Sequence, residues 1–510
     1  MMPNTTPIRS YRLRETPAEL QQRERVLSKL REVLQEYALH EGCLVGMSEE
    51  DAVSKLVQLR TFGSYRLGVH APEADIDTLC IAPRHCTRTS FFQKVPILLE
   101  ATAGVKHLHV ISDAFVPVIK FKLMGFAVDL LFVALSMDSI PSDLNILDDQ
   151  LLRDLDEQSV RSLNGVRVTE RIIQLVPNGD HFRTTLTIVK HWARVRGIYS
   201  NVLGFLGGVN WAILVARVCQ LYPNALPATL LGKFFRVYHL WSWPNPVLLD
   251  NVVNSPNMGF TVWNPMTNPR DRSHLMPIIT PAYPSMNSSY NVLPCTLRMI
   301  RAEFNRAASR TFEIETKKAP WGALFAKPTF FNRWNHFLRV QITARDASSL
   351  SNWLAWVESR LRYLLQRLEG VPNLRPHPLA RFMDVEESDG DVKSSWFFIA
   401  LSFHAPSSAA LERPVHGGLQ VDLTSAIQDF ARQVEQWEHR RGGMDLEVSH
   451  VLRAEVPVWV VECVDGMVRK ETGKDKSRRN ETCPTDDSTP HSRVSNSPVK
   501  RAKESPTEKR

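Results

Sequence analysis

Asp75 and Asp77 stand one residue apart, a short way behind a Gly63-Ser64 pair. The stretch from Phe62 to Asp77 reads Phe-Gly-Ser-Tyr-Arg-Leu-Gly-Val-His-Ala-Pro-Glu-Ala-Asp-Ile-Asp. Alternate side chains of a strand share a face, so both carboxylates project together while Ile76 turns into the core. Two carboxylates on one face make a site for a hard cation such as Mg2+. Gly63 lets backbone approach a ligand closely, and Ser64 offers a hydroxyl and an N–H to phosphate oxygens. The chemistry this suits is metal-assisted phosphoryl or nucleotidyl transfer. Taken singly, Asp-x-Asp also suits a polar strand end and Gly-Ser a plain turn. Their spacing, with a third aspartate downstream, favours the site.

That third residue is Asp129, which interrupts the apolar run Phe126 to Ala134. A carboxylate within such a strand is costly unless it is paired or metal-bound. Two ions about 3.5–4 Å apart can stabilise both the attacking and the leaving oxygen of an in-line displacement, and three carboxylates are a sensible minimum to hold them. The other reading of Asp129 is a strand end or an ion pair with Lys120 or Lys122.

The elements that must position these groups follow from periodicity. Leu27, Leu30, Leu34 and Tyr37 recur at helical spacing and predict an amphipathic helix over about 17–39. Thr78 to Ala82 continues the Asp75–Asp77 strand. Val116 to Leu123 and Phe126 to Ala134 form two strands of a hairpin turning at Met124-Gly125. From about 150 to 240 the pattern is helical: Phe182, Leu186, Val189 and Ala193 give one stripe, and Val209 to Leu221 a buried helix. Residues 243–295, rich in Pro, Asn and Ser, read as a long ordered connection. From about 336 strands return. Phe337 to Ile342 alternates, Ser349 to Leu368 is helical, Trp396 to Leu401 is a buried strand, Leu423 to Trp437 is helical, and Val458 to Val461 ends the pattern. With one further strand allowed, β-α-β-(β)-α-β, the order is that of a ferredoxin-like sheet, shared by RNA-recognition modules and, as far as periodicity goes, by other small α+β domains.

A chain of 510 residues is too long for one core and implies two to four domains. Apolar content of 43% and charged content of 23% belong to a globular protein. No apolar run is long enough to span a bilayer, and the start Met1-Met2-Pro3 is unlike a secretory signal. Seven scattered cysteines (Cys43, Cys80, Cys86, Cys219, Cys295, Cys463 and Cys483) show no CxxC pair, so neither zinc nor a disulfide framework is indicated. The net charge of +8 is compatible with an anionic partner.

The stretch Phe62 to Phe92 resembles the catalytic signature of the eukaryotic nuclear poly(A) polymerase family, a branch of the polymerase-β-like nucleotidyltransferases. The resemblance continues through Thr185 to Ala193, Arg196 to Asn201, Gly204 to Val209, Trp243 to Leu248 and His274 to Pro284. It covers about 15–460 and weakens after 345. The fold it implies is a multidomain α+β one. A polymerase-β-like nucleotidyltransferase domain (1–150) precedes a helical central domain (151–345) and an RNA-binding, RNA-recognition-motif-like domain (346–465). A disordered basic tail (466–510) closes the chain.

Carried over residue by residue, Asp75, Asp77 and Asp129 match the catalytic metal ligands. Phe62, Gly63, Ser64 and Ala71 match nucleotide-binding positions around the triphosphate loop. Lys190, Tyr199, Asn201, Gly208 and Val209 match positions around phosphates, sugar and adenine. Lys190 would present a point charge to phosphate, Tyr199 a flat face with a hydroxyl, and Asn201 a donor and an acceptor for a base edge. Read without the family, Lys190 is a solvated helix face, Tyr199 a core edge, and Gly207-Gly208 a helix start. Lys120 and Lys122 would guide RNA near Asp129, or simply form the wet face of a strand.

The activity implied is template-independent addition of AMP from ATP to the 3′-hydroxyl of RNA, with Mg2+ or Mn2+ and release of pyrophosphate. The rival readings are a terminal uridylyltransferase, a CCA-adding enzyme and an inactive RNA-binding scaffold. Implied partners are the RNA 3′ end, ATP and the cleavage and polyadenylation factors, with no membrane. The chain is expected to act as a monomer in the nucleus. Lys474 to Arg479 and Lys500 to Lys503 read as import signals or as ordinary basic clusters of a tail. Members of the resembled family from vertebrates carry a long Ser/Thr-rich regulatory tail; about forty residues follow the last expected domain here.

Overall fold

The structure, a computed structural model, describes residues 13–466 except 56, 255–257, 387–391 and 405–420. The expected tail, with both basic clusters, lies outside the described residues from 467 onward. The chain divides into two compact units. One gathers Met1–Arg194, Leu206–Tyr290 and Glu303–Leu324; the other gathers Val195–Phe205, Asn291–Ala302 and Phe325–Arg510.

The first unit begins with helix α1 (Pro17–Leu44). Thr16 Oγ1 accepts from the Glu19 N–H while the Glu19 carboxylate accepts from the Thr16 N–H, a reciprocal cap that fixes where the helix starts. It runs five residues past the expected end, and Val26, Leu27, Leu30, Val33, Leu34 and Tyr37 are its buried stripe. Five strands form one sheet: β1 (Gln58–Thr61), β2 (Ile76–Ala82), β3 (Val105–Ile111), β4 (Val118–Leu123) and β5 (Phe126–Ala134). Their order is β1-β2-β5-β4-β3; β2 and β5 run parallel and the other pairs antiparallel. The expected hairpin is present. Met124 and Gly125, both with φ in the left-handed region (52° and 89°), turn β4 into β5.

Period-two alternation divides this sheet into two faces. Ile76, Cys80, Val128, Leu130 and Phe132 pack with α1 and with α3 (Arg88–Ala101); a single helical turn, α2 (Gly63–Arg66), lies between β1 and β2. Leu79, Ile81, Leu131 and Val133 face the other way, against Val160, Leu163 and Val166 of α4 (Glu157–Leu175). Asp77 and Asp129 share that second face, at the end where β2 starts. Helices α5 (Gly179–Val195), α6 (Gly208–Leu221) and α7 (Pro227–Leu240) follow, as the helical pattern predicts. Trp192, Trp211, Phe234, Phe235 and Phe304 form their aromatic core, with ring centroids 4.6–6.5 Å apart.

In the second unit β6 (His336–Ala344), α9 (Ala347–Glu369), β7 (Leu374–Glu386), β8 (Lys393–Phe403), α10 (Thr424–Glu435) and β9 (Asp445–Leu452) follow in order, after α8 (Pro294–Glu315), which the two units divide. The sheet order β7-β8-β6-β9 is that of a ferredoxin-like domain. β6 begins where the strand pattern returns, near 336, ahead of residue 346, the expected start of the RNA-binding domain. One expectation is corrected. Val458 to Val461 is no strand but part of helix α11 (Val458–Asp465), opening after Pro457. Four apolar residues fit either period, and the apolar side of this helix packs on the sheet: Val460, Val461 and Val464 join Phe337, Met383 and Phe398. The face on which RNA-recognition modules stack bases is therefore filled by the protein's own side chains.

A buried ionic cluster ties α1 to the segment leading into the aspartates. Arg23 Nε donates to Glu15 Oε1 at 2.7 Å, His70 Nε2 meets Glu15 Oε2 at 2.9 Å, and Arg23 Nη2 donates to the Pro72 carbonyl at 3.0 Å. Arg23 and Glu15 are almost wholly out of solvent. Removing one partner of a buried pair leaves the other charge uncompensated and costs about 3–5 kcal/mol. Glu15→Gln should therefore lower the melting temperature clearly, whereas substitution of the exposed pair Lys29–Glu32 should barely move it. Scanning calorimetry of the three proteins checks this.

Candidate active site

The parallel register places Asp77 directly opposite Asp129. Thr78, buried between the strands, donates its hydroxyl to the Asp129 carbonyl at 3.0 Å and locks that register. Asp75 sits just before β2 and is exposed, while Ile76 between the two aspartates is fully buried, as alternation requires. One oxygen each from Asp75, Asp77 and Asp129 lies within 4.8 Å of the others. The expected carboxylate set is thus brought together. Three such oxygens on one sheet end, open on one side, fit the coordination of a divalent cation.

The Gly63 turn closes against this set. Gly63 has φ +62°, and a Cβ there would come 2.2 Å from Asp77 Oδ2. Both the backbone conformation and the close approach demand glycine. The Gly63 N–H donates to Thr169 Oγ1 at 3.1 Å, and Thr169 in turn donates to the Gly165 carbonyl. Phe62 lays its ring on Gly165, where a Cβ would come 2.7 Å from it. Helix α4 thus supports the turn through Gly165 and Thr169, two residues the sequence reading passed over. Neither carries a pattern of its own; each matters only through a loop about a hundred positions away. Ser64 lies next to Gly63, and its carbonyl accepts from the Val69 N–H at 3.0 Å. Ala71 is the first residue of the turn that returns the chain toward Asp75, its carbonyl accepting from Ala74.

Lys190 is not on a solvated face. It is buried on α5, and its Nζ donates to the Val69 carbonyl at 3.0 Å. Burial, with Arg194 nearby, pushes its ammonium down to about 8 against the pull of Asp77 and Asp75. Lys120 donates to Asp129 Oδ2, so the ion-pair reading of Asp129 holds alongside the carboxylate cluster. Lys122 is exposed two residues further along β4. Gly208 and Val209 form the first turn of α6, where Asn210 accepts from the Gly207 N–H and donates to Ser288 Oγ, each at 2.7 Å. Tyr199 and Asn201 belong to the second unit. There Asn291 Nδ2 donates to Asn201 Oδ1 at 2.7 Å and fixes the orientation of that amide. Asn291 is a further residue that no motif announced.

A mixed sheet with paired aspartates on adjacent parallel strands and a glycine turn against them defines a nucleotidyltransferase-type site. Residues 5–176 match the family profile of the poly(A) polymerase nucleotidyltransferase domain, 181–327 that of the poly(A) polymerase central domain, and 329–387 that of the poly(A) polymerase predicted RNA binding domain. The Poly(A) polymerase of Dictyostelium discoideum is 40% identical over 459 residues, covering 88% of this chain and 56% of that protein. Nuclear poly(A) polymerase 1 of Arabidopsis thaliana is 41% identical over 480 residues (92% and 65%), and Poly(A) polymerase pla1 of Schizosaccharomyces pombe 43% identical over 378 residues (74% and 67%). The chain belongs to the poly(A) polymerase family. It spans a little over half to two thirds of the length of these relatives. Among solved structures, Cid1 in complex with the UTP analogue UMPNPP aligns at 17% identity and TM-score 0.42 over 61% of this chain and 93% of that one, too distant to bear on function.

The carboxylate cluster has a measurable cost. Burial first, then the charges of Asp75 and Asp129, raise the Asp77 carboxyl from 3.8 to about 7. The folded protein thus holds this proton more tightly than the unfolded chain, so this group's contribution to stability declines as pH rises from about 4 through 7. Asp77→Asn should raise the melting temperature of chelator-treated protein at pH 8 and leave it nearly unchanged near pH 4. Added Mg2+ or Mn2+ should stabilise the parent at pH 8 but not the variant. A variant less stable than the parent at pH 8 would mark Asp77 as a structural group.

Proposed function

We propose that the chain is a template-independent polynucleotide adenylyltransferase, which transfers AMP from ATP to the 3′-hydroxyl of RNA and releases pyrophosphate. The observation that carries this is the carboxylate set of Asp75, Asp77 and Asp129, held against the Gly63 turn within a chain of this family. Divalent ions bound by the three carboxylates would supply charge neutralisation at the attacking and leaving oxygens; Mg2+ and Mn2+ both suit oxygen ligands of this kind.

The protein's own part is positioning. The Phe62-Gly63-Ser64 turn, with Ala71 on the following loop, lines the triphosphate. Lys190, with its ammonium held near pH 8, sets a positive charge beside it at neutral pH. Gly208 and Val209 present a helix N-terminus in the same unit, where the N–H groups of a first turn favour anions. Tyr199 and Asn201 recognise sugar and adenine, Asn201 through the amide edge that Asn291 leaves oriented. Lys120 and Lys122 face the 3′ end of RNA beside Asp129. A direct attack of the hydroxyl needs no covalent enzyme intermediate. A nuclear setting is what the relatives named nuclear poly(A) polymerase support; on this reading cleavage and polyadenylation factors choose the messenger 3′ ends. A monomeric enzyme is part of this reading.

Incubating the full chain with an RNA primer, Mg2+ or Mn2+ and each nucleoside triphosphate separately tests the reading. Extension should occur with ATP and be much weaker with the other three. Asp129→Ala should keep less than about a hundredth of parental activity, a loss at least as large as removal of one transition-state hydrogen-bond donor. Equal extension with UTP would make the chain a uridylyltransferase. Extension with CTP as well as ATP would point to CCA addition. No extension of any primer would leave an RNA-binding scaffold.

A further inference from the structure

Lys106 of β3 is the register partner of Lys122 on β4, and His109 is the partner of Lys120. Lys120 in turn lies opposite Asp129, and Asp129 opposite Asp77. Directly opposed residues share a sheet face. A row Asp77–Asp129–Lys120–His109 therefore runs from the carboxylates to the sheet's edge, with Lys122 and Lys106 beside it on the same face. All four basic side chains are exposed. Between Gly104 and Ala127 the sole acidic residue is Asp113, outside both strands.

Two local costs sustain this arrangement. Like charges directly opposed across strands destabilise a sheet, and Lys106 faces Lys122. The second cost is a bulge. Lys106 and His109 are three positions apart, a spacing that a regular strand sends to opposite faces. The register shifts between them, and His107 adopts φ 52°, a conformation uncommon outside glycine. Continued without the shift, the Lys106–Lys122 pairing would set Leu108 opposite Lys120 and turn His109 toward Ile119, which is fully buried. The bulge re-aims His109 onto the lysine face, as bulges beside active sites do. Lysines and bulges on an edge strand also deter edge-to-edge pairing, but that purpose needs no second lysine opposite the first.

We propose that this row seats the phosphodiester backbone of the RNA upstream of its 3′ end, with Lys106, Lys122 and His109 contacting successive phosphates. The proposal rests on the adenylyltransferase reading above and names a part of its RNA path. A polyanion between Lys106 and Lys122 removes their repulsion. Lysines acting as point charges read no bases, which suits a primer of any sequence.

The test uses the full chain, without nucleotide, binding a long oligoadenylate and a trinucleotide across a range of salt concentrations. Primer extension then gives KM for RNA and for ATP separately. Lys106→Gln should weaken binding of the long strand several-fold and reduce the slope of log affinity against log salt by about 0.7, the share of one single-strand phosphate. It should leave trinucleotide affinity and KM for ATP unchanged and keep or raise the melting temperature. His109→Gln should weaken the long strand in the same way, and Lys106→Arg should restore it. Unchanged affinity and slope in both glutamine variants would overturn the proposal. So would a fall in stability without a fall in affinity, or a rise in KM for ATP alone, which would give the row to the triphosphate. If the parent binds and extends RNA while the variants match it, the row alone fails. If the parent extends no primer, the adenylyltransferase reading fails first.

Discussion

Three carboxylates with oxygens inside 4.8 Å repel one another, and most of the first unit can be understood as what holds them there. The parallel pairing of β2 with β5 sets Asp77 against Asp129, and the Thr78 hydroxyl fixes that register. Alternation sends Ile76 and Val128 into the α1 side of the sheet and the aspartates to the other. Helix α4 covers that other face further along, through Leu79, Ile81, Leu131 and Val133. The same helix offers Gly165 and Thr169 to the Gly63 turn, so one element both closes the core and sets the loop. The raised Asp77 carboxyl is the residue of strain in this arrangement, and a divalent cation is the natural means of relieving it.

Positive charge is distributed around this centre with different degrees of freedom. Lys190 is buried and tethered to the Val69 carbonyl, so its position is set by packing. Lys120 is half-exposed and pairs with Asp129 directly. Lys122, Lys106 and His109 continue outward on an open surface. A fixed charge suits a ligand of constant shape, and exposed charges suit a chain that must slide after each addition. The second unit solves a separate problem. Its ferredoxin-like sheet is covered on one face by α9, against which α10 packs, and filled on the other by α11 and the Phe330–Phe331 pair. Trp396 is likewise engaged, by the Arg339 guanidinium 4.8 Å from its ring centroid.

Much of this was legible in the sequence, for identifiable reasons. Strand alternation and the Met124-Gly125 turn are local signals; they set Asp75 with Asp77 and put Asp129 within a strand, while the pairing of Asp129 with Asp77 is seen only in the parallel register. A β-α-β-(β)-α-β order points to the second unit's class, although the pattern does not locate Leu374–Glu386 and sets the last strand at Val458 to Val461 instead of Asp445–Leu452. What failed or was missed depends on contacts distant in the chain. Val458 to Val461 has the composition of a strand, but Pro457 starts a helix and the sheet already has its fourth strand in Asp445–Leu452. Periodicity alone made Lys190 a solvated residue, because the carbonyl that holds it is 121 positions away. The bulge at His107 follows no sequence rule, so the shared face of Lys106 and His109 appears only in the register. Thr169 and Asn291 are ordinary polar residues until the loops they orient are in place.

The proposed reaction requires the carboxylate set of Asp75, Asp77 and Asp129 to hold a pair of divalent ions. Electron paramagnetic resonance of the full chain loaded with Mn2+ and a non-hydrolysable ATP analogue measures this directly. The account predicts a spin-coupled pair at the separation of about 3.5–4 Å expected of a two-metal site, and loss of the coupling in Asp129→Asn. Isolated ions without coupling in the parent, or a coupled pair that survives the loss of Asp129, would contradict it.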